Sequence, residues 1–103
     1  MGSKWVKVAN CGEIAPGGMK VVEIDGIPLA ICNVEGTYYA VQDECTHETY
    51  PLTEGTLEGH VLTCVLHGAQ FDVRTGKVLQ PPAYEPVRTY QIAVNGEEIF
   101  VVL

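Results

Sequence analysis

Two cysteine–histidine pairs are the residues of this sequence best suited to chemistry. Cys45-Thr46-His47 is a C-x-H motif, and Cys64-Val65-Leu66-His67 is a C-x2-H motif that follows after sixteen intervening residues. Thiolates and imidazoles are soft to borderline ligands that suit zinc, copper and iron–sulfur clusters. The alternative is that the cysteines fill a core and the histidines are ordinary hydrogen-bonded residues. Four such residues in two close pairs favour a metal site.

The way the ligand types are shared between the pairs distinguishes the candidate metals. A structural zinc ion accepts two cysteines and two histidines, but its usual pattern keeps the cysteines together and the histidines together. Here each pair offers one cysteine and one histidine. That arrangement suits a two-iron centre with cysteines on one iron and histidines on the other. A structural zinc module that mediates an interaction remains the alternative.

The rest of the sequence predicts β-strands that would position these pairs. Hairpin turns are expected at Asp25-Gly26, Glu35-Gly36, Thr75-Gly76 and Asn95-Gly96, and Asp-Gly and Asn-Gly are the strongest hairpin signals. The flanking runs are rich in Val, Ile and Tyr. No helical period persists over three turns, so at most a short helical turn is expected within residues 11–15. We predict an all-β fold, a small antiparallel sandwich or barrel.

One stretch interrupts the regular strands. From residue 43 to residue 86 the strands shorten, and Gly, Thr, Pro and His accumulate. Pro81-Pro82 and Pro86 cannot donate hydrogen bonds to a sheet. We interpret residues 43–86 as a loop-rich metal-binding subdomain on a β base, within a single domain that spans residues 1–103.

The charge balance limits the possible partners. Asp and Glu number 13 against 6 Lys and Arg, which gives a formal net charge of -7. Such a surface repels nucleic acid and anionic lipid and suits a basic partner, although solubility alone explains it equally well. No apolar run reaches the roughly 18 residues of a membrane helix. The first five residues lead directly into a strand pattern, so we expect no signal peptide and a soluble, cytoplasmic protein.

Together, these motifs resemble those of a known protein family. C-x-H, sixteen residues, then C-x2-H-G resembles the Rieske signature, and the sequence CVLHGAQFDVRTG at residues 64–76 resembles that family's second loop and following hairpin. The whole chain is similar to Rieske ferredoxins, the electron-carrier components of bacterial ring-hydroxylating dioxygenase systems. Pro-Gly-Gly at 16–18, Pro-Pro-Ala at 81–83 and Tyr-Gln-Ile-Ala-Val at 90–94 support the match.

The resemblance implies one Rieske-type [2Fe–2S] cluster per chain. By this resemblance Cys45 and Cys64 bind the inner iron, and His47 and His67 bind the outer, more exposed iron. It further implies that the segment at residues 81–83 covers the cluster on one side and leaves the histidine edge open as a docking face.

The resemblance also implies a function. The chain would be a monomeric one-electron carrier in aromatic hydrocarbon catabolism that passes electrons from a flavin-dependent ferredoxin reductase to a terminal oxygenase. An oxygenase itself needs a second, mononuclear iron site, commonly two histidines and a carboxylate, and only His60 remains for it. Motifs for NAD or flavin are absent, so the chain is not the reductase. A carrier for a monooxygenase or for a nitrite reductase remains the alternative.

Three further residues are expected to lie outside the metal chemistry. Cys32 lies in the apolar run LAICNV and is predicted to be a core residue, and Cys11 is a turn residue. Disulfides are not expected in a reducing compartment. His60 follows Glu58-Gly59 at a hairpin tip and is predicted to be a solvated turn residue.

The sequence differs from Rieske proteins of respiratory cytochrome complexes at four positions. Those proteins carry a further cysteine in each loop, joined as a disulfide, where this chain has Tyr50 and Leu66. They also place a serine and a tyrosine whose hydroxyls donate hydrogen bonds to cluster sulfur, where this chain has Ala69 and Phe71.

We therefore predict a reduction potential in the lower part of the Rieske range of about −150 to +300 mV. Neutral imidazoles in place of two thiolates raise the potential above the about −400 mV of plant-type ferredoxins. The missing hydroxyls lower it again, because hydrogen bonds to sulfur stabilise the more negative reduced state. A redox titration measures this value, and a potential above roughly +200 mV would contradict our ranking of the two effects.

Overall fold

The computed structural model describes residues 4–46, 49–65 and 68–102. Within these residues the chain forms β-strands and two short 3-10 helices, which confirms the all-β prediction. The strands are β1 (Trp5–Asn10), β2 (Met19–Ile24), β3 (Ile27–Val34), β4 (Thr37–Gln42), β5 (Thr56–Glu58), β6 (Val61–Thr63), β7 (Gln70–Asp72), β8 (Val78–Gln80), β9 (Thr89–Asn95) and β10 (Glu98–Val102).

The strands pair into two antiparallel sheets. The large sheet has the order β1-β10-β9-β4-β3-β2, and the small sheet has the order β5-β6-β7-β8. The predicted helical turn is confirmed as a 3-10 helix at Cys11–Glu13, and a second one spans Leu52–Glu54. No helix among the described residues is long and apolar enough to cross a membrane.

Tight turns connect β2 with β3 and β3 with β4, as predicted. In both turns the two central residues have positive φ: Asp25 (52°) and Gly26 (80°), then Glu35 (51°) and Gly36 (92°). This is the type I′ geometry, whose twist matches that of the flanking strands. The hairpin predicted around Thr75-Gly76 is also present, between β7 and β8.

The hairpin predicted at Asn95-Gly96 forms, but its turn is shifted by one residue. Asn95 pairs with Glu98 as the last residue of β9, so the central residues are Gly96 and Glu97. Gly96 has φ 66°, and a glycine with positive φ at the first central position is the mark of a type II′ turn.

Strand β3 separates two hydrophobic cores. Successive side chains of a strand point to opposite faces, and on β3 both faces are covered. Ala30, Cys32 and Val34 belong to the core that includes the small sheet, whereas Leu29 and Ile31 belong to the core enclosed by the large sheet. The cysteines of the two predicted pairs lie in the first of these cores, which we call the inter-sheet core.

The small sheet lies within the stretch interpreted as loop-rich. Its strands have three residues each, so the expected shortening is present, but they pair into a continuous ladder. In β5, β6 and β7 the central residue is buried: Leu57, Leu62 and Phe71. Three of the four strands therefore attach this sheet to the inter-sheet core through one buried side chain each.

Gly55, just before β5, makes a backbone contact that a larger residue would prevent. A Cβ added there would lie 1.8 Å from the carbonyl oxygen of Thr63. We predict that Gly55→Ala destabilises the protein by about 1–3 kcal/mol through overpacking, which is about 4–8 °C of thermal midpoint for each kcal/mol. Circular dichroism melting measures this. Gly12→Ala is the matched control because a Cβ there meets nothing within 4 Å, and equal midpoints for both variants would contradict the steric argument.

Candidate metal centre

Cys45 and Cys64 reach the inter-sheet core from different sheets. Cys45 follows β4 of the large sheet after Asp43 and Glu44, and Cys64 directly follows β6 of the small sheet. The exposed fractions are 3% for Cys45 and 1% for Cys64, and both residues belong to the same buried cluster. The fold therefore brings the two sequence-predicted cysteines into one core.

The two cysteine loops close in the same way. The Cys45 amide donates a hydrogen bond to the carbonyl of Tyr50 (2.9 Å), and the Cys64 amide donates one to the carbonyl of Ala69 (2.8 Å). Each loop thus joins a cysteine to the residue five positions later. His47 and His67 fall inside these loops by sequence but lie outside the described residues, as does Leu66.

A buried carboxylate holds the base of the first loop. The Asp43 oxygens accept hydrogen bonds from the amide of Thr53 (2.8 Å) and from its hydroxyl (3.0 Å). The Asp43 amide donates to the carbonyl of Pro28 (2.9 Å), which attaches the loop to β3. Neither Asp43 nor Thr53 was predicted to belong to the site. Only the position of an acid between an apolar strand and a cysteine loop could have indicated them.

The second loop is held by glutamine side chains. Thr63 and Gln70 pair at the end of the β6–β7 ladder, and the Gln70 amide group donates to the Thr63 hydroxyl (3.2 Å). The Gln80 amide group, at the end of β8, donates to the carbonyl of Gly68 (3.3 Å). The start and the end of this loop are therefore both attached to the small sheet.

The proline segment at residues 81–86 is attached to both loops. Gln80, which precedes it, bonds to the second loop as described. Near its other end, the carbonyl of Glu85 accepts a hydrogen bond from the Thr46 hydroxyl of the first loop (2.7 Å). Ala83 is buried in the inter-sheet core, whereas 86% of Tyr84 is exposed. The segment therefore spans the two loops, and Tyr84 lies in solvent rather than in apolar packing.

Ala69 and Phe71, which replace the serine and tyrosine of respiratory Rieske proteins, lie in the same core as Cys64. Ala69 and Phe71 are both fully buried, and the Ala69 carbonyl is the acceptor for the Cys64 amide. The protein thus fills these two positions with apolar side chains.

Cys32 and Cys11 take the roles that the sequence suggested. Cys32 is fully buried in the inter-sheet core. Burial, and secondarily the charge of Asp43, raise the pKa of its thiol to about 12. Cys11 opens the first 3-10 helix, and its carbonyl accepts a hydrogen bond from the Tyr38 hydroxyl (3.2 Å). Both residues are among the described ones, and both are thiols rather than halves of a disulfide.

His60 is less solvated than expected. It does lie at the tip of the β5–β6 hairpin, but it is half-buried. Its ring packs edge-on against Tyr39, with 5.7 Å between ring centroids and an interplanar angle of 76°. The prediction of a turn residue is confirmed, and the ring is only partly solvated because this aromatic contact covers part of it.

The stretch of sequence that contains both loops carries charges of one sign. From residue 21 to residue 73 the sequence contains nine Asp or Glu and no Lys or Arg. Both cysteine loops fall inside this stretch. The nearest cation that follows, Arg74, is bound to the carboxylate of Asp72 through two hydrogen bonds (3.1 and 3.0 Å).

The donor set fits an iron–sulfur cluster. Two buried thiols approach one core from loops of the same construction, and thiolates are the ligands that iron–sulfur clusters require. Among the residues that the structure describes, which omit both histidines of the pairs, no three His, Cys, Asp or Glu side chains converge. The structure therefore describes the two thiols of the predicted ligand set, and the assignment of all four ligands stays a prediction.

Comparison with known proteins identifies the family. The model of the Rieske [2Fe-2S] domain matches residues 4–91. The chain is 42% identical over 95 residues to the ferredoxin component of biphenyl 2,3-dioxygenase from Rhodococcus jostii, covering 92% of this chain and 89% of the relative. It is 35% identical over 101 residues to the ferredoxin component of the naphthalene 1,2-dioxygenase system from Pseudomonas aeruginosa, covering 98% and 97%.

A solved structure agrees with these relatives. A chain from the complex of reduced oxygenase and oxidized ferredoxin in carbazole 1,9a-dioxygenase superposes with a TM-score of 0.91 at 36% identity. The match covers 95% of this chain and 92% of that one. With its two cysteine loops and a family model that spans most of its length, this chain belongs to the Rieske [2Fe-2S] domain family.

Proposed function

We propose that this chain is a one-electron carrier that passes electrons from a ferredoxin reductase to the terminal oxygenase of an aromatic-ring dioxygenase system. The observation that carries the proposal is the pair of equally closed loops, each with a buried cysteine at its base. It is supported by relatives of nearly the same length that are named as ferredoxin components of biphenyl and naphthalene dioxygenase systems.

The proposed ligands are those of the sequence analysis. Cys45 and Cys64 would hold the inner iron, which is consistent with their burial. His47 and His67 would hold the outer iron, since they follow the cysteines within the same short loops. When bound, the cluster supplies a single reversible electron, and a centre with two histidine ligands has a higher potential than one with four cysteines.

The protein's own residues would place this redox group and limit its contact with water. The hydrogen bonds from the cysteine amides to the carbonyls of Tyr50 and Ala69 fix where each thiol enters the core. Ala83 of the proline segment, together with Phe71, closes the core beside the loops. None of these groups performs substrate chemistry, so the chain would act as a carrier and not as a catalyst.

The surface around the loops suits a basic partner. Val65 in the second loop and Tyr84 in the proline segment are exposed by 57% and 86%. Val65 lies within the stretch from residue 21 to residue 73 that carries acids but no Lys or Arg, and Glu85 follows Tyr84 directly. Apolar contacts ringed by charge are typical of interfaces, and the charge mainly accelerates encounter. The carbazole relative was solved as a complex of oxygenase and ferredoxin, which supports an oxygenase as one partner here.

We further propose that the protein works as a monomer in the cytoplasm. The Cys11 and Cys32 thiols are consistent with a reducing compartment, where disulfides are rare. Fractionation of cells and size-exclusion chromatography of the purified protein test these two points.

Replacing either inner ligand should abolish the cluster. We predict that Cys45→Ser and Cys64→Ser each yield protein without the visible absorption and without the reduced-state electron paramagnetic resonance signal of a Rieske centre. Zinc and iron analysis of the wild-type protein provides the reference. Colourless wild-type protein that contains zinc after growth with ample iron and anaerobic handling would favour the structural zinc alternative instead.

The matched control is the histidine outside both pairs. His60→Ala removes a half-buried imidazole that packs on Tyr39, so it should leave the visible and resonance spectra unchanged. Loss of the cluster in this variant would contradict the ligand assignment.

Electron delivery is tested directly with partner proteins. Reduced carrier mixed with the oxygenase of a biphenyl or naphthalene system should be reoxidised, and the rate should fall as salt increases because exposed charges are screened. A carrier that keeps its cluster but reduces none of these oxygenases would point to the monooxygenase or nitrite reductase alternative.

A further inference from the structure

The first cysteine loop begins at Asp43, a charged residue that is buried. Only 6% of Asp43 is exposed, and it is the only buried acid or base among the residues that the structure describes. Taking an ion out of water is unfavourable unless hydrogen bonds compensate for the lost hydration. A neutral side chain would serve as a simple loop brace at a smaller cost.

The hydrogen bonds of Asp43 engage both oxygens of its carboxylate. One oxygen accepts from the Thr53 amide and the other from the Thr53 hydroxyl, at 2.8 and 3.0 Å. Two accepted hydrogen bonds suit the negative charge of a carboxylate, which has no proton to donate. The side chain thus carries its negative charge into the core while both oxygens remain bonded.

This charge lies close to Cys45. Cys45 is two positions after Asp43, so their Cα atoms are at most about 7 Å apart even in an extended chain. Its field also reaches other thiols of the inter-sheet core, because Asp43 contributes to raising the pKa of the fully buried Cys32. Charges in such an interior interact more strongly than in water and are screened little by salt.

We propose that the buried carboxylate of Asp43 lowers the reduction potential of the cluster held by Cys45 and Cys64, in addition to positioning the first loop through Thr53. Reduction adds one electron from the reductase to the cluster and changes no bond. A fixed negative charge nearby makes that addition less favourable. The inference rests on the proposed function, since it requires the cluster to be present.

The decisive variant is Asp43→Asn, which keeps the size of the side chain and removes its charge. The asparagine oxygen can still accept from the Thr53 amide, and its NH2 group can donate to the Thr53 hydroxyl. In a redox titration of the cluster-loaded protein we expect the equilibrium to favour the reduced form by about tenfold more, which is about 59 mV for a one-electron couple. The shift should persist at high salt.

Glu54→Gln is the matched control, because it removes a negative charge of the same loop region that is exposed and not buried. Glu54 follows Thr53 directly and has the same sign, but it is exposed. Its removal should shift the potential less, and added salt should abolish that smaller shift.

Thr53→Val separates the charge from the loop geometry. Valine retains the backbone amide but removes the hydroxyl that partly neutralises the carboxylate. We expect a shift opposite to that of Asp43→Asn, toward the oxidised form. If Asp43 only braced the loop, Asp43→Asn, which can keep both hydrogen bonds to Thr53, would leave the potential unchanged, or any loosening of the loop would shift both potentials in the same direction.

These outcomes decide the inference. Opposite shifts that survive high salt support it. An unchanged potential in Asp43→Asn with an intact resonance spectrum overturns it, as do shifts of the same sign in both variants. If Asp43→Asn fails to load the cluster, the sign of the Thr53→Val shift decides alone. Wild-type protein without a [2Fe–2S] spectrum would instead overturn the proposed function and is recognised before any variant is titrated.

Discussion

The hydrogen bond from each cysteine amide to the carbonyl five residues later is the constraint on which the site depends. It turns the chain back at Tyr50 and at Ala69 and leaves the cysteine at the base of each loop. One loop begins after β4 and the other after β6, so the two cysteines share one core only if the two sheets pack on it. The large sheet, the small sheet and the inter-sheet core are thus the support for two sulfur atoms.

The small sheet would gain stability from the proposed metal centre. Strands of three residues with at most one buried side chain each offer little apolar area, and short isolated hairpins are marginally stable in water. Leu57, Leu62 and Phe71 attach this sheet to the core, and a metal held by both cysteine loops, as proposed, would add a cross-link between the two sheets. Metal binding of this kind contributes to folding because the unfolded chain has no preformed site.

Much of this arrangement could be predicted from the sequence, because it follows from local chemistry. Asp25-Gly26 and Glu35-Gly36 adopt the positive φ angles that such dipeptides tolerate, and the two Cys-His pairs resemble a specific signature. The failures concern pairings that the residue types alone do not specify. The turn after Asn95 depends on its pairing with Glu98, and the bond between Asp43 and Thr53 joins residues ten positions apart. Hydrophobic pattern carries no information about either.

The acids of this protein divide into two groups with different physical consequences. Exposed carboxylates, such as those of Glu54 and Glu58, act through water, so salt screens them and their main effect is on the rate of encounter with a partner. Asp43 acts inside the core, where screening is weak and its position is fixed by Thr53. Exchanging a surface acid therefore alters the energy of the carried electron only slightly and only at low salt, whereas exchanging the buried one alters it at any salt concentration. The net charge alone, which counts both kinds equally, conceals this difference.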